Sequence, residues 1–151
     1  RTEHAKGKKI ASSNYTVTYA SGRKLPGTYT VKVTMKGNYT GTKTLTFAIR
    51  GKQMSVSKLT ALSKGFKATW AKQSYVTGYQ VQYSTSSKFT AKTTKTATIS
   101  KYTTTSKTVT KLKAKTKYYV RVRSYKTTKI GGKNYNVYSA WSKAKAVTTK
   151  K

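Results

Sequence analysis

Apolar residues recur at every second position along most of this chain, and no stretch repeats them at a helical spacing. Asn14–Tyr19 places Tyr15, Val17 and Tyr19 on one face of an extended segment. Thr28–Lys36 alternates again, with Tyr29, Val31, Val33 and Met35 together, and Thr44–Ile49 adds Leu45, Phe47 and Ile49. Turn residues separate these runs: Ser21–Gly27, which holds the only proline, Pro26, then Gly37-Asn38, then Gly41. Alternation bounded by such residues predicts half-buried antiparallel strands, here a small β-meander.

A short polar linker, residues 51–53, leads to a longer series. Val56, Leu59 and Leu62 begin it; Phe66, Ala68 and Trp70 alternate inward; Gly78 precedes Tyr79, Val81 and Tyr83; Val109 and Leu112 come next. Tyr118, Val120, Val122 and Ser124 then oppose Tyr119, Arg121, Arg123 and Tyr125. Gly131-Gly132 is a hairpin-loop signal, and Ala144, Ala146 and Thr148 close the inward pattern. Seven short strands within roughly 95 residues suit a Greek-key sandwich.

Charge changes the picture most. Thirty-three Lys and Arg face a single acidic side chain, Glu3, for a formal net charge of +32 over 151 residues. Such a chain repels itself and attracts polyanions. The cations are spread along the chain and alternate with apolar residues, as on solvated strand faces. Aromatics at 12% set the chain apart from disordered basic tails, and abundant Thr, Val and Tyr favour strands. Cysteine is absent, which removes disulfides and thiolate metal sites. No apolar run approaches the roughly 20 residues that span a bilayer as a helix. The chain begins at Arg1 without an initiator Met and reads as a mature or excised piece of something longer. Asn14 and Asn38 each open an Asn-Tyr-Thr sequon, which matters only in a eukaryotic secretory pathway.

Two stretches carry a family resemblance. Asn14-Tyr-Thr-Val-Thr-Tyr, Pro26-Gly27-Thr28-Tyr29-Thr-Val-Lys-Val, Lys36-Gly37-Asn38-Tyr39-Thr40-Gly41-Thr42 and Leu45-Thr-Phe-Ala-Ile49 resemble an Ig-like repeat of secreted Gram-positive proteins. That repeat opens with a further strand, which here is missing or lies in the poorly patterned Arg1–Ala11, so residues 1–50 resemble a partial repeat. Met54–Lys151 resembles a fibronectin type III domain of the bacterial extracellular kind. The resemblance rests on Trp70, Gly78-Tyr79-Gln-Val81-Gln-Tyr83, the run from Leu112 through Thr116 and Tyr118 to Val122, and Ser139-Ala-Trp141-Ser142. It makes Trp70, Leu112, Tyr118 and Trp141 structural residues, with Trp70 in the core. Leu112, Thr116 and Tyr118 would form a tyrosine corner, whose buried hydroxyl reaches a backbone group; Ala114 stands where that corner commonly has Pro. The family's integrin-binding tripeptide is absent. The implied fold is all-β, an Ig-like partial β-meander followed by a seven-stranded fibronectin type III β-sandwich.

Catalysis is tested by subtraction. Glycosidase chemistry needs paired carboxylates, and a Ser-His-Asp triad needs an acid to orient its base. His4 is the only histidine, and with Glu3 it supplies at most two metal ligands. No Gly-rich phosphate loop joins a strand to a helix. The expectation is therefore a chain that is not an enzyme, with no cofactor and no metal. One candidate binding face remains. If the third, sixth and last strands share a sheet, their outward residues are Gln80, Gln82, Tyr119, Arg121, Arg123, Tyr125, Lys143 and Lys145. Arg forks suit phosphate or sulfate, and Tyr faces can stack on sugars or bases. The competing reading is an ordinary outward face braced by Arg–Tyr stacking.

The expected function is a non-catalytic spacer or adhesive module of a secreted or cell-surface Gram-positive protein. It would associate with anionic cell-wall polymer, anionic glycans or nucleic acid. The rivals are a cationic nucleic-acid or membrane-active protein and a structural filament subunit that self-associates through an unpaired edge of the first repeat.

Overall fold

The computed structural model describes residues 3–5, 8–10, 14–19, 25–37 and 41–151. The described residues are all-β, with thirteen strands and no α-helix. The chain forms two compact units, Arg1–Ile49 and Arg50–Lys151.

In the first unit, β1 (Glu3–Ala5) and β2 (Lys8–Ile10) pair antiparallel with each other. The poorly patterned opening thus holds two short strands, in a sheet separate from the meander. The meander is β3 (Tyr15–Tyr19), β4 (Gly27–Met35) and β5 (Thr42–Ile49), antiparallel with β4 in the centre. Its register sets Tyr15 opposite Met35, Val17 opposite Val33, Val31 opposite Leu45 and Tyr29 opposite Phe47. The alternating apolar positions therefore meet on one face, as cross-strand pairing requires. Tyr15, Val31 and Val33 are buried, and Val17, Met35, Leu45 and Phe47 pack against them. Ser21–Lys24 of the expected proline turn and Asn38–Thr40, with the second sequon, lie outside the described residues. So do the side chains of Glu3 and His4.

The second unit is a two-sheet sandwich. One sheet is β10 (Ser106–Val109), β7 (Gly65–Trp70) and β6 (Val56–Leu62) in that order. The other runs β12 (Lys133–Tyr138), β11 (Lys117–Ile130), β8 (Gly78–Ser84) and β9 (Thr94–Ile99), with β13 (Lys145–Thr148) also paired to β11. The inward residues of both sheets form one core: Val56, Phe66, Ala68, Trp70, Tyr79, Val81, Val109, Tyr118, Val120, Val122 and Val147. Trp70 packs on Tyr79 with ring centroids 5.4 Å apart. Gly78 cannot carry a side chain, because an added Cβ would collide with the Ile99 carbonyl oxygen of β9. Gly131 and Gly132 have φ of +56° and +82°, the left-handed pair that a two-residue hairpin loop demands between β11 and β12.

The expected last strand, through Ala144, Ala146 and Thr148, is preceded by a further segment, β12, so the sandwich has eight strand segments. Tyr125 lies opposite Tyr138, while Val120 lies opposite Lys145. The chain between Tyr138 and Lys145 is therefore two residues too long for a regular ladder and bulges outward. Ser139 and Ser142 repair the gap. Ser139 N–H donates to the Ser124 carbonyl and Ser142 N–H to the Val122 carbonyl. In return the Ser124 and Val122 N–H groups donate to the Ser139 and Ser142 hydroxyls, at 3.0 and 2.9 Å.

The end of the chain then crosses between the sheets. Lys150 N–H donates to the Leu62 carbonyl, and Lys64 N–H donates to the Lys150 carbonyl. One side of the sandwich is laced shut by these bonds. On the opposite side the sheets end in the edge strands β9 and β10.

Candidate functional site

Residues 119, 121, 123 and 125 of β11 share the face turned away from the core, and β8 sets Gln82 opposite Arg121 and Gln80 opposite Arg123. Each guanidinium grips one amide oxygen through two nitrogens. Arg121 Nε and Nη2 donate to Gln82 Oε1 at 2.8 and 2.6 Å. Arg123 Nε and Nη2 donate to Gln80 Oε1 at 2.9 and 2.7 Å. The amides continue outward, Gln82 Nε2 to Thr96 Oγ1 at 3.2 Å and Gln80 Nε2 to Thr98 Oγ1 at 3.3 Å. Three strands are thereby tied across one face.

The guanidinium planes are also stacked. Arg121 lies 3.9 Å from the Phe89 ring centroid and 4.7 Å from that of Trp141. Arg123 lies 4.2 Å from Trp141 and 3.7 Å from Tyr138. The result is an alternating column: Phe89, Arg121, Trp141, Arg123, Tyr138. The two-residue bulge is what delivers Trp141 into this column. Burial disfavours the charged form and lowers the pKa of both arginines; for Arg123 the Tyr138 phenol opposes that effect and neighbouring Arg121 adds to it. Both remain cations at any physiological pH.

The other members of the predicted face fall elsewhere. Tyr119 is half-buried, with the Lys117 ammonium 5.3 Å from its ring. Tyr125 lies on the predicted side of β11 but is buried against Tyr138, at 6.3 Å. Lys143 and Lys145 do not belong to the face. Register puts Lys145 opposite inward Val120 and Val147 opposite inward Tyr118, whereas Ala146 sits opposite Tyr119. The inward residue of β13 is thus Val147. Ala144 and Ala146 are too small to mark the buried side, so alternation alone places the neighbouring lysines on the wrong face. Lys143 and Lys145 are exposed and line a separate depression with Gln53, Met54, Ser55 and Val56. Among the described residues, no three His, Cys, Asp or Glu side chains come together as a metal site. No helix of the described residues is long and apolar enough to cross a membrane.

Residues 48–139 match the family model of the fibronectin type III domain. The chain belongs to the fibronectin type III family. Among solved structures, it is similar to the FN1-FN3 domains of chicken CNTN1, at 17% identity and a TM-score of 0.53 over 84% of this chain and 42% of that one. It is similar also to a two fibronectin type III domain segment of chicken tenascin, at 17% identity and a TM-score of 0.56 over 82% of this chain and 66% of that one. This chain therefore spans less than two thirds of either neighbour's length, and at such identity the likeness concerns the fold. Comparison with curated proteins found no match.

Within this fibronectin type III domain, the column explains the chemistry of the Arg–Gln face. The Trp141 indole is engaged by two guanidinium groups, so it offers no open face to a sugar or base. What remains outward is the edge of each guanidinium, a donor for anions. Phe89 and Tyr138 complete the column and were missed from sequence. The one available signal for Phe89 was a lone aromatic within the Ser-, Thr- and Lys-rich stretch from Thr85 to Thr93.

Proposed function

We propose that the chain is a non-catalytic spacer or adhesive segment of a secreted Gram-positive surface protein. In this reading a partial Ig-like repeat precedes the fibronectin type III domain, and the segment associates with anionic wall polymer, anionic glycan or nucleic acid. The observation that carries it is a rigid β-sandwich bearing most of a +32 charge, with a single acidic side chain in the whole chain to offset it. Cations held by strands cannot collapse onto internal partners, so they are left for external anions. The Arg121–Arg123 column adds fixed positive charge to one face while bracing the sheet.

The test is binding of DNA and of a heparin-like glycan across a salt series. For DNA, the logarithm of affinity should fall linearly with the logarithm of salt, because released counterions drive association. No retention on either polymer at low ionic strength would overturn the reading.

A further inference from the structure

The open side of the sandwich is a cleft of about 470 Å³, lined by Tyr83, Thr85, Lys92, Thr93, Lys95, Lys111, Leu112, Lys113 and Tyr118. Its size falls within the range of small-molecule sites, roughly 300–1,000 Å³. Its chemistry differs from the column of stacked arginines. Four lysines and two tyrosines are among its lining residues, and no carboxylate side chain is among them to neutralise the lysines. We infer that this cleft is a binding site for an anionic saccharide, a sugar carrying phosphate, sulfate or carboxylate.

Both walls are built before any ligand arrives. On one wall, Leu112 N–H donates to the Lys64 carbonyl at 2.9 Å, Lys113 N–H reaches the Tyr118 hydroxyl at 3.4 Å, and the Thr149 hydroxyl donates to the Lys113 carbonyl. On the other wall, the Thr93 hydroxyl is within 2.8 Å of the Ser84 hydroxyl and 2.7 Å of the Thr90 hydroxyl. Lysines projecting from pinned backbone lose less freedom on binding than lysines on a loose loop.

The lining selects the ligand class. Tyr83 packs edge-on against Phe66 at 5.6 Å and against Tyr118 at 6.3 Å, so these rings serve the core. Burial, with Tyr118 adding to it, raises the Tyr83 pKa and keeps its hydroxyl a neutral donor. Core-packed phenols, threonine hydroxyls and ammonium groups suit the hydroxyls and anionic oxygens of a sugar. A nucleobase needs an open ring face instead. The φ of Lys111, +60°, is a left-handed conformation in which a lysine is strained and a glycine is at ease. Lys64 and Lys115 share this conformation away from the cleft lining, so it sets the stability expected of a glycine at 111 and does not by itself mark the site.

This inference rests on the proposed association with anionic polymers, and the test separates the two. The full chain, labelled with ¹⁵N, is titrated with a sulfated disaccharide, with inorganic sulfate and with a trinucleotide of DNA. Shifts confined to residues 83–95 and 111–118, and an affinity for the disaccharide above that for sulfate, are expected. Lys95→Gln with Lys113→Gln should weaken the disaccharide about tenfold or more, as loss of charged hydrogen bonds implies. The same charge removed at Lys143→Gln with Lys145→Gln should leave it unchanged. Lys111→Gly should weaken binding while the thermal midpoint stays level or rises, which excludes misfolding as the cause. Equal weakening by both double variants, shifts scattered over the surface, sulfate binding as well as the disaccharide, or a preference for the trinucleotide would each overturn it. Retention of the full chain on long heparin at low salt is scored separately and reports only on the broader reading.

Discussion

Two tyrosines in the sandwich look alike in sequence and differ in what their hydroxyls do. Tyr118, where the family resemblance implies a tyrosine corner, is buried, and its hydroxyl accepts one long contact, 3.4 Å, from Lys113 N–H. Tyr79 is fully buried; its hydroxyl accepts from Gln73 N–H at 2.8 Å and donates to the Tyr102 carbonyl at 2.7 Å. It thus pins the loop after β7 and the chain after β9 to the core. Tyr79→Phe should cost about 1–3 kcal/mol, since two backbone groups lose their partner, and Tyr118→Phe should cost less, under about 1 kcal/mol. Urea midpoints of the two variants decide this; equal losses would contradict it. Burial is the main cause raising the Tyr79 pKa above its ordinary 10.0; the Gln73 hydrogen bond opposes it and Tyr102 adds to it. As pH rises through 10, the unfolded chain loses this proton first, so the native state holds more protons and stability falls. The stability gap between the parent chain and Tyr79→Phe should therefore narrow above pH 10, checked by denaturation at pH 8 and pH 11.

At the scale of elements, the bulge between β12 and β13 does the most with the fewest residues. Two serine hydroxyls stand in for ladder carbonyls, and Trp141 is turned out between two arginines. Ser142→Ala should leave the buried Val122 N–H without an acceptor and destabilise the domain by about 1–3 kcal/mol. Amide exchange at Val122 should quicken as well; unchanged exchange and midpoint would show that the backbone re-forms the ladder without the serine. This bulge also marks where reading from sequence stops. Phe66, Ala68 and Trp70, or Tyr118, Val120 and Val122, announce a buried face because large apolar side chains alternate with polar ones. Between Ser139 and Thr148 only Val147 is large and apolar apart from Trp141, so alternation left the face of Lys143 and Lys145 undetermined. In β9, Thr94–Ile99, threonine fills one face and Lys95, Ala97 and Ile99 the other, so Ile99 is its only large apolar side chain and pairing with β8 specifies the strand more than its own pattern. That Gln80, Gln82, Arg121 and Arg123 lie on outward faces is legible from period two; which Arg grips which Gln comes only from the register of β8 and β11. The cleft is not legible in sequence, because its lysines come from opposite edges that only the closed sandwich brings together.

The whole molecule carries its charge as a standing cost. Thirty-three cations, offset by a single acidic side chain, repel one another in any state, and folding brings them closer than the unfolded chain does. The sandwich holds against this because its attractions are short-ranged: a contiguous apolar core, ladders closed by backbone bonds, and arginines shielded between rings. Short-ranged terms barely respond to modest salt, whereas the repulsion does. The screening length shrinks from about 30 Å at 0.01 M to about 10 Å at 0.1 M, which spans much of a small domain. Sodium chloride raised from 10 to 150 mM should therefore increase the thermal midpoint of the full chain. Polyanion association should weaken over the same interval, since screening acts on attraction and repulsion alike. The two trends must move in opposite directions if one charge distribution governs both. A midpoint that stays flat or falls as salt is added would mean that self-repulsion is already relieved within the fold, and the long-range field proposed to draw polyanions would lose its basis.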